Sequence, residues 1–153
     1  MRLTPGTTEG PYYKKDSPEK AILYEVGIPG EKLVLIGYVY DTRGKPVSGA
    51  WLDFWQANGN GRYDNAGYVL RGHQFTDASG KYKLETVIPG GYTGRTPHIH
   101  VKVRAPGSRS TLTTQLFMPG KDTNVSDPIF REELVVEMSE GLEGKSATFN
   151  FVL

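Results

Sequence analysis

An all-β fold is what this sequence predicts, an antiparallel β-sandwich with long active-site loops and little helix, and three observations carry that expectation. Apolar runs rich in β-branched and aromatic residues recur along the chain, and none has the length of a helix. Nineteen glycines and ten prolines punctuate them, as tight turns between strands require. A chain of 153 residues is long enough to bury one core without disulfides or structural metals. One unit over 1–153 is therefore expected. Residues 1–30 read as a turn-rich arm, broken by Pro5, Gly6, Gly10, Pro11, Pro18, Gly27, Pro29 and Gly30.

The regular fold starts at Leu33, where LVLIGYVY reads as a strand, and DTRGKPVSGA after it as a turn giving a hairpin-like start. WLDFWQA alternates Trp51, Asp53 and Trp55 against Leu52, Phe54 and Gln56. Both faces are largely apolar or aromatic, which predicts a central strand covered on both sides. Trp51, Phe54 and Trp55 are assigned to the core, and Asp41, Asp53 and Asp77 to turns and strand ends. NGNGRYDNAGYVLRG and IPGGYTGRTP are long loops, the kind of segment that carries function on a rigid scaffold. HQFTD, KYKLETV, HIHVKVRA, TTQLFM and SATFNFVL supply further strands, and DPIFREELVVEM has room for a single helical turn.

Charge and composition exclude several classes of function. With 18 Lys+Arg against 17 Asp+Glu there is no basic excess to neutralise phosphates, so no nucleic-acid partner is expected. No stretch is apolar enough to span a bilayer, and no apolar leader follows Arg2. The expected location is the cytoplasm, although a chain with no cysteine is equally compatible with export. The absence of cysteine also removes disulfides, thiolate ligands and thiol nucleophiles together.

His98 and His100 are one residue apart in a strand-like run, so period-two alternation turns both imidazoles to one face and Ile99 to the core. Taken alone, such a pair is as often a packed or surface pair as a metal site. Tyr92 and Arg95 lie just upstream in a glycine-rich loop, and Tyr63 lies in the other long loop as G-R-Y. Two phenolates with two imidazoles suit a hard, highly charged ion such as ferric iron, because the phenolates offset part of its charge. Zinc sites usually add a third histidine or a carboxylate, and none follows H-I-H at short spacing. His73, the remaining histidine, reads as structural or exposed.

The ordered motifs resemble the intradiol ring-cleavage dioxygenases, the family of the catechol 1,2- and protocatechuate 3,4-dioxygenases. They are T-T-E-G-P-Y-Y, G-Y-V-Y-D-T-R-G-K-P-V-S-G-A, W-Q-A-N-G-N-G-R-Y, Y-K-L-E-T-V-I-P-G-G-Y, R-T-P-H-I-H and T-T-Q-L-F, spanning about Thr7 to Phe117. The resemblance implies a non-haem Fe(3+) centre held by Tyr63, Tyr92, His98 and His100, with Tyr92 opposite the second histidine and leaving the metal when substrate binds. It implies a catalytic Arg95 that steadies charge on the ring, a pocket glutamine at Gln115, and Pro11 and Tyr12 beside the substrate. The substrates implied are a catechol-type ring and O2, and the product a cis,cis-muconate-type diacid.

The match departs in two places. The helical pairing domain or second kind of chain found in well-studied members is not visible, which leaves assembly open. Only Thr93 to Pro97 separate Tyr92 from His98, where those members carry a longer loop, so a more open site is expected and the ring substituents stay undetermined. Strands of the G-x-V-x-D-x-x-G-x-P-V-x-G-A type also occur in transthyretin-like or carbohydrate-binding modules, which have no reason to keep G-R-Y, P-G-G-Y and R-T-P-H-I-H together. A cupin-like metal site would want a further carboxylate and a histidine downstream of the pair, whereas His73 lies upstream.

Overall fold

The computed structural model describes residues 1–153. Its strands are β1 (Lys32–Tyr40), β2 (Trp51–Gln56), β3 (Arg71–Phe75), β4 (Lys81–Val87), β5 (His98–Arg104), β6 (Leu112–Phe117), β7 (Glu137–Gly141), β8 (Gly144–Thr148) and β9 (Phe151–Val152). Two short 3₁₀ turns, Asp122–Ser126 and Glu132–Leu134, are the only helical segments.

Alternation in β1 buries Leu33, Leu35 and Val39 while Val34, Ile36 and Tyr38 are partly exposed, the pattern of a strand with one face on a core. Two sheets provide that core. One runs β4-β1-β8-β7 with β9 beside β1, the other β3-β2-β5-β6. The four-stranded sheet is wholly antiparallel, whereas β1 pairs in parallel with β8 and β9. Leu33, Leu35, Val39 and Leu84 of one sheet belong to the same buried cluster as Leu52, Phe54, Ile99, Val101, Val103 and Leu116 of the other. Each such side chain withdrawn from water contributes about 1.5–3 kcal/mol.

The start of the fold differs from a simple hairpin. Asp41 Oδ1 accepts the Arg43 and Lys45 N–H groups, and Tyr40 bridges Pro46. That stub then ends, and the chain crosses so that β1 and β2 lie in different sheets. The long loop closes at Leu70, with Arg71 and Gly72 already in β3, and the last predicted strand divides into β8 and β9. Strand β7 was not expected; its EMSEG sequence is almost entirely exposed and carries no apolar alternation to announce it.

The outer face of the four-stranded sheet is also covered, as the sequence of β2 requires. Residues 1–31 form no strand; Thr7 to Lys20 lie along this sheet, while Thr4 bonds Val152 of β9 and Leu23 and Tyr24 bond Glu85 of β4. Thr7 N–H donates to Thr113 O, while Lys20 N–H and Pro18 O bond with His73, so the arm occupies both sheet edges and removes them as sites for chance pairing. Asp53 is no strand-end residue: it is buried in the middle of β2, accepting hydrogen bonds from Tyr13 Oη at 3.0 Å and Ser17 Oγ at 2.7 Å. His73 completes the anchor with Nδ1 at 3.1 Å from Ser17 Oγ, a structural role. No helix is long and apolar enough to cross a membrane.

Candidate metal centre

The register of the four-stranded sheet sets Arg71, Trp55, His100 and Gln115 in one row across its outer face. Alternation places His98 on the same face, with Ile99 fully buried on the other. The phenols arrive on the two long loops. Gly61 and Gly90 let those loops touch backbone to backbone: Gly90 N–H donates to Asn58 O at 2.9 Å, and a Cβ on Gly90 would lie 2.7 Å from Gly61 N. That contact explains the glycines of G-N-G-R-Y and P-G-G-Y. They bring Tyr63, after β2, and Tyr92, after β4, to the same end of the sandwich.

The four predicted ligands converge. His98 Nε2 and His100 Nε2 are 3.1 Å apart, His100 Nε2 lies 3.1 Å from Tyr63 Oη, and Tyr92 Oη lies 3.3 Å from His98 Nε2. Tyr63 Oη is 3.4 Å from both Tyr92 Oη and His98 Nε2. The sixth pair, Tyr92 with His100, makes no such contact. Hydroxyl hydrogen bonds favour about 2.7–2.8 Å, so these oxygens and nitrogens cluster without strong mutual bonding, as donor atoms around a shared cation do. His98 Nδ1 is 2.7 Å from Thr96 O. A carbonyl only accepts, so Nδ1 carries the proton and the Nε2 lone pair faces the cluster. Trp55 stacks on His100 at 4.7 Å and 8°, which fixes that ring's plane.

Electrostatics favour a cation as well. Burial pushes the His98 imidazole down to about 4, and the Arg95 charge adds to the effect against the raising influence of the Thr96 carbonyl. His100 is held well below the usual histidine range, by burial first and then by His98, Arg95 and Arg71. Both rings are neutral at pH 7, so no proton has to leave before either ligates a metal. Burial, then the contact with Tyr92, pushes the Tyr63 phenol up; ionising it requires a strong positive charge at the cluster, which a trivalent ion supplies. No three His, Cys, Asp or Glu side chains gather anywhere in the molecule, so a metal site here has to draw on the phenols. The residues fit a hard ion.

Arg95 and Gln115 lie beside the cluster and are bonded to each other, Arg95 Nη2 donating to Gln115 Oε1. Gln115 in turn donates to Thr8 O at 3.0 Å. Arg95 Nε donates to Asp127 Oδ2 at 2.9 Å. Burial raises the Asp127 carboxyl, but Arg95 and the N–H groups of Ile129 and Thr96 outweigh it and hold it below the ordinary range. Tyr12 stacks on Tyr63 with centroids 4.4 Å apart. A cleft of about 330 Å³ is lined by Tyr12, Gly61, Arg62, Tyr63, Asn65 and Tyr92, while Pro11 is exposed and outside that lining. A larger depression, about 630 Å³ at the β7–β8 hairpin, carries neither histidine nor tyrosine.

Sequence reasoning missed three neighbours. Asp127 sits in a segment with no clear period, Arg71 falls in a stretch that reads as loop, and Trp55, buried as the sequence predicts, turns its ring to the site. Trp55 alone had a signal, since alternation puts it on the face of His100.

Comparison with known proteins shows the family. A family model described as "Dioxygenase" matches residues 8–153. Catechol 1,2-dioxygenase 2 of Acinetobacter lwoffii is 34% identical over 165 aligned positions, covering 91% of this chain and 58% of that protein. The protocatechuate 3,4-dioxygenase beta chain of Burkholderia cepacia is 34% identical over 119 positions, 67% of this chain and 51% of that one. The chain thus spans little more than half the length of these relatives. A solved dioxygenase domain, from a dioxygenase–carbohydrate-binding protein fusion of Streptomyces sp. SirexAA-E, superposes with a TM-score of 0.96 at 47% identity, covering 99% of this chain and 98% of that one. A family model over residues 8–153 and relatives at 34% identity settle the family: this chain belongs to the intradiol ring-cleavage dioxygenases.

Proposed function

We propose that the chain holds one ferric ion through Tyr63, Tyr92, His98 and His100 and cleaves a catechol-type ring between its two hydroxyls, incorporating both atoms of O2 to give a cis,cis-muconate-type diacid. The observation that carries this is the convergence of the two phenol oxygens and two imidazole nitrogens at 3.1–3.4 Å. Bound iron would supply Lewis acidity, orienting both substrate oxygens and drawing electron density from the ring. The chain's own residues do the rest. His98, its Nδ1–H held by Thr96, and His100, its ring plane set by Trp55, keep their Nε2 atoms aimed at one point. Tyr92 Oη, a phenolate when it ligates the ion, would accept a proton from a catechol hydroxyl as the ring enters and become the neutral phenol. Arg95, held by Asp127 and Gln115, places a fixed positive charge where negative charge develops, without reorganisation. Tyr12 and Tyr63 give the ring an aromatic wall.

The test is iron content, visible spectrum and oxygen uptake on the purified protein. About one iron per chain, a broad phenolate-to-iron band that changes when catechol is added anaerobically, and catechol-dependent O2 consumption are expected. A colourless protein that takes up zinc, or no metal after reconstitution with iron, overturns the reading.

A further inference from the structure

Arg71 is one of the most completely buried side chains, 1% exposed, yet it forms no ion pair: every salt bridge in the molecule lies elsewhere. Burying a guanidinium is costly unless its donors are met. Here three of the N–H groups reach acceptors, in two segments of the chain. Nε donates to Asp64 O at 3.0 Å, Nη1 to Tyr12 O, and Nη2 approaches Asn65 Oδ1 at 3.5 Å. All three acceptors adjoin one ring. Asp64 and Asn65 follow Tyr63 directly, Tyr12 is stacked upon it, and the guanidinium carbon itself lies 5.9 Å from the Tyr63 ring centre.

The neighbouring carboxylate does not compete for this role. Asp64 is occupied by the N–H groups of Ala66, Gly67 and Val69, which shape the loop and leave only its carbonyl for Arg71. Strand β3 therefore delivers one planar fork to the arm, to the loop and to the face of the phenol at once. A lysine could offer the charge but not the fork.

We propose that Arg71 is a positioning residue of the metal centre: by tying the arm at Tyr12 and the loop at Asp64–Asn65 to β3, it fixes where the Tyr63 phenol stands. This rests on the metal-centre reading above. Residues that orient a ligand from outside typically set metal affinity by 10–100-fold.

The test compares Arg71→Met and Arg71→Lys with the wild type in two ways. Ferric iron affinity and the phenolate-to-iron band are measured on the resting protein without substrate. Trypsin cleavage at Lys14 and Lys15 is followed on metal-free protein. Arg71→Met is expected to bind iron about 10–100-fold more weakly, with a displaced band and faster arm cleavage, and Arg71→Lys to fall between it and the wild type. A staple that serves only folding would lower the melting temperature and leave band and affinity unmoved, and that result overturns the proposal. Should Arg71→Met not accumulate as folded protein, Arg71→Lys decides alone, since wild-type affinity and band in that variant refute the need for the fork. A wild type that takes up no iron refutes the metal-centre reading instead, and the two failures are thereby told apart.

Discussion

Asp127 holds Arg95 by a 2.9 Å hydrogen bond to Nε and holds the start of the histidine strand by a second 2.9 Å bond from Thr96 N–H. One carboxylate thus sets both the cation beside the cluster and the residue whose carbonyl orients His98. Arg95→Ala is expected to keep iron and colour while turnover falls about 10²-fold, the scale for removing a preorganised charge. Asp127→Asn should lose turnover in the same direction, and the double variant should lose much less than the product of the two, because they act as one unit. Steady-state oxygen uptake, normalised to iron, is the measurement. Independent, multiplying losses would mean that Asp127 does not act through Arg95.

His98→Ala and His100→Ala should each lose iron while the sandwich stays folded, because both rings lie on the outer face and Ile99 alone supplies the core contact at that point of β5. Metal analysis with circular dichroism reads both halves. Full iron in either variant would remove that histidine from the ligand set.

That much was legible because alternation in H-I-H is a local property and Tyr63, Tyr92 and Arg95 fall in ordered motifs with fixed neighbours. What could not be read was set by contacts distant in sequence. Asp127 meets Arg95 across 32 positions. Asp53, charged and in mid-strand, is buried only because Tyr13 and Ser17 of the arm come back to bond it. The crossing after Pro46 leaves no mark on composition, since a hairpin stub and a full hairpin use the same turn residues. Strand β7 gains its place from pairing with β8, not from an apolar face.

Tyr63→Phe and Tyr92→Phe should differ in kind. If Tyr92 leaves the metal on substrate binding and Tyr63 stays, the substrate complex of Tyr63→Phe should lose most of its remaining phenolate band, whereas that of Tyr92→Phe should resemble the wild-type complex but form more slowly. Anaerobic stopped-flow spectra with catechol would show it. Identical spectra for the two complexes would contradict the assignment.

The metal-free protein should lose stability on acidification. The His98 value falls from an ordinary 6.5 to about 4, so between those limits the unfolded chain binds the proton and the folded one does not. Stability from this group is complete above about pH 6.5 and declines as pH falls toward 4, by on the order of 3 kcal/mol in total. His100, held lower still, acts in the same direction. Asp53, raised by burial despite its bonds to Ser17 and Tyr13, opposes the trend at the acid end, and Asp127 enters only below about 3.8. Urea unfolding of metal-free protein at pH 7 and pH 4.5 tests the sign, and equal stabilities would contradict it.

Tyr92 and Arg95 exchange backbone hydrogen bonds of 3.1 and 2.8 Å across a four-residue turn, and just upstream the same loop is pressed against Gly59 and Gly61. The backbone on either side of the phenol is therefore pinned, so the centre cannot open by a loop swinging away. On the proposed mechanism Tyr92 would leave by turning its ring about its own side-chain bonds, a movement of the rotamer class, with Arg95 held by Asp127. Substrate entry would then be gated by the rotation of one side chain and not by a lid, with the Arg95 charge in place before the ring arrives.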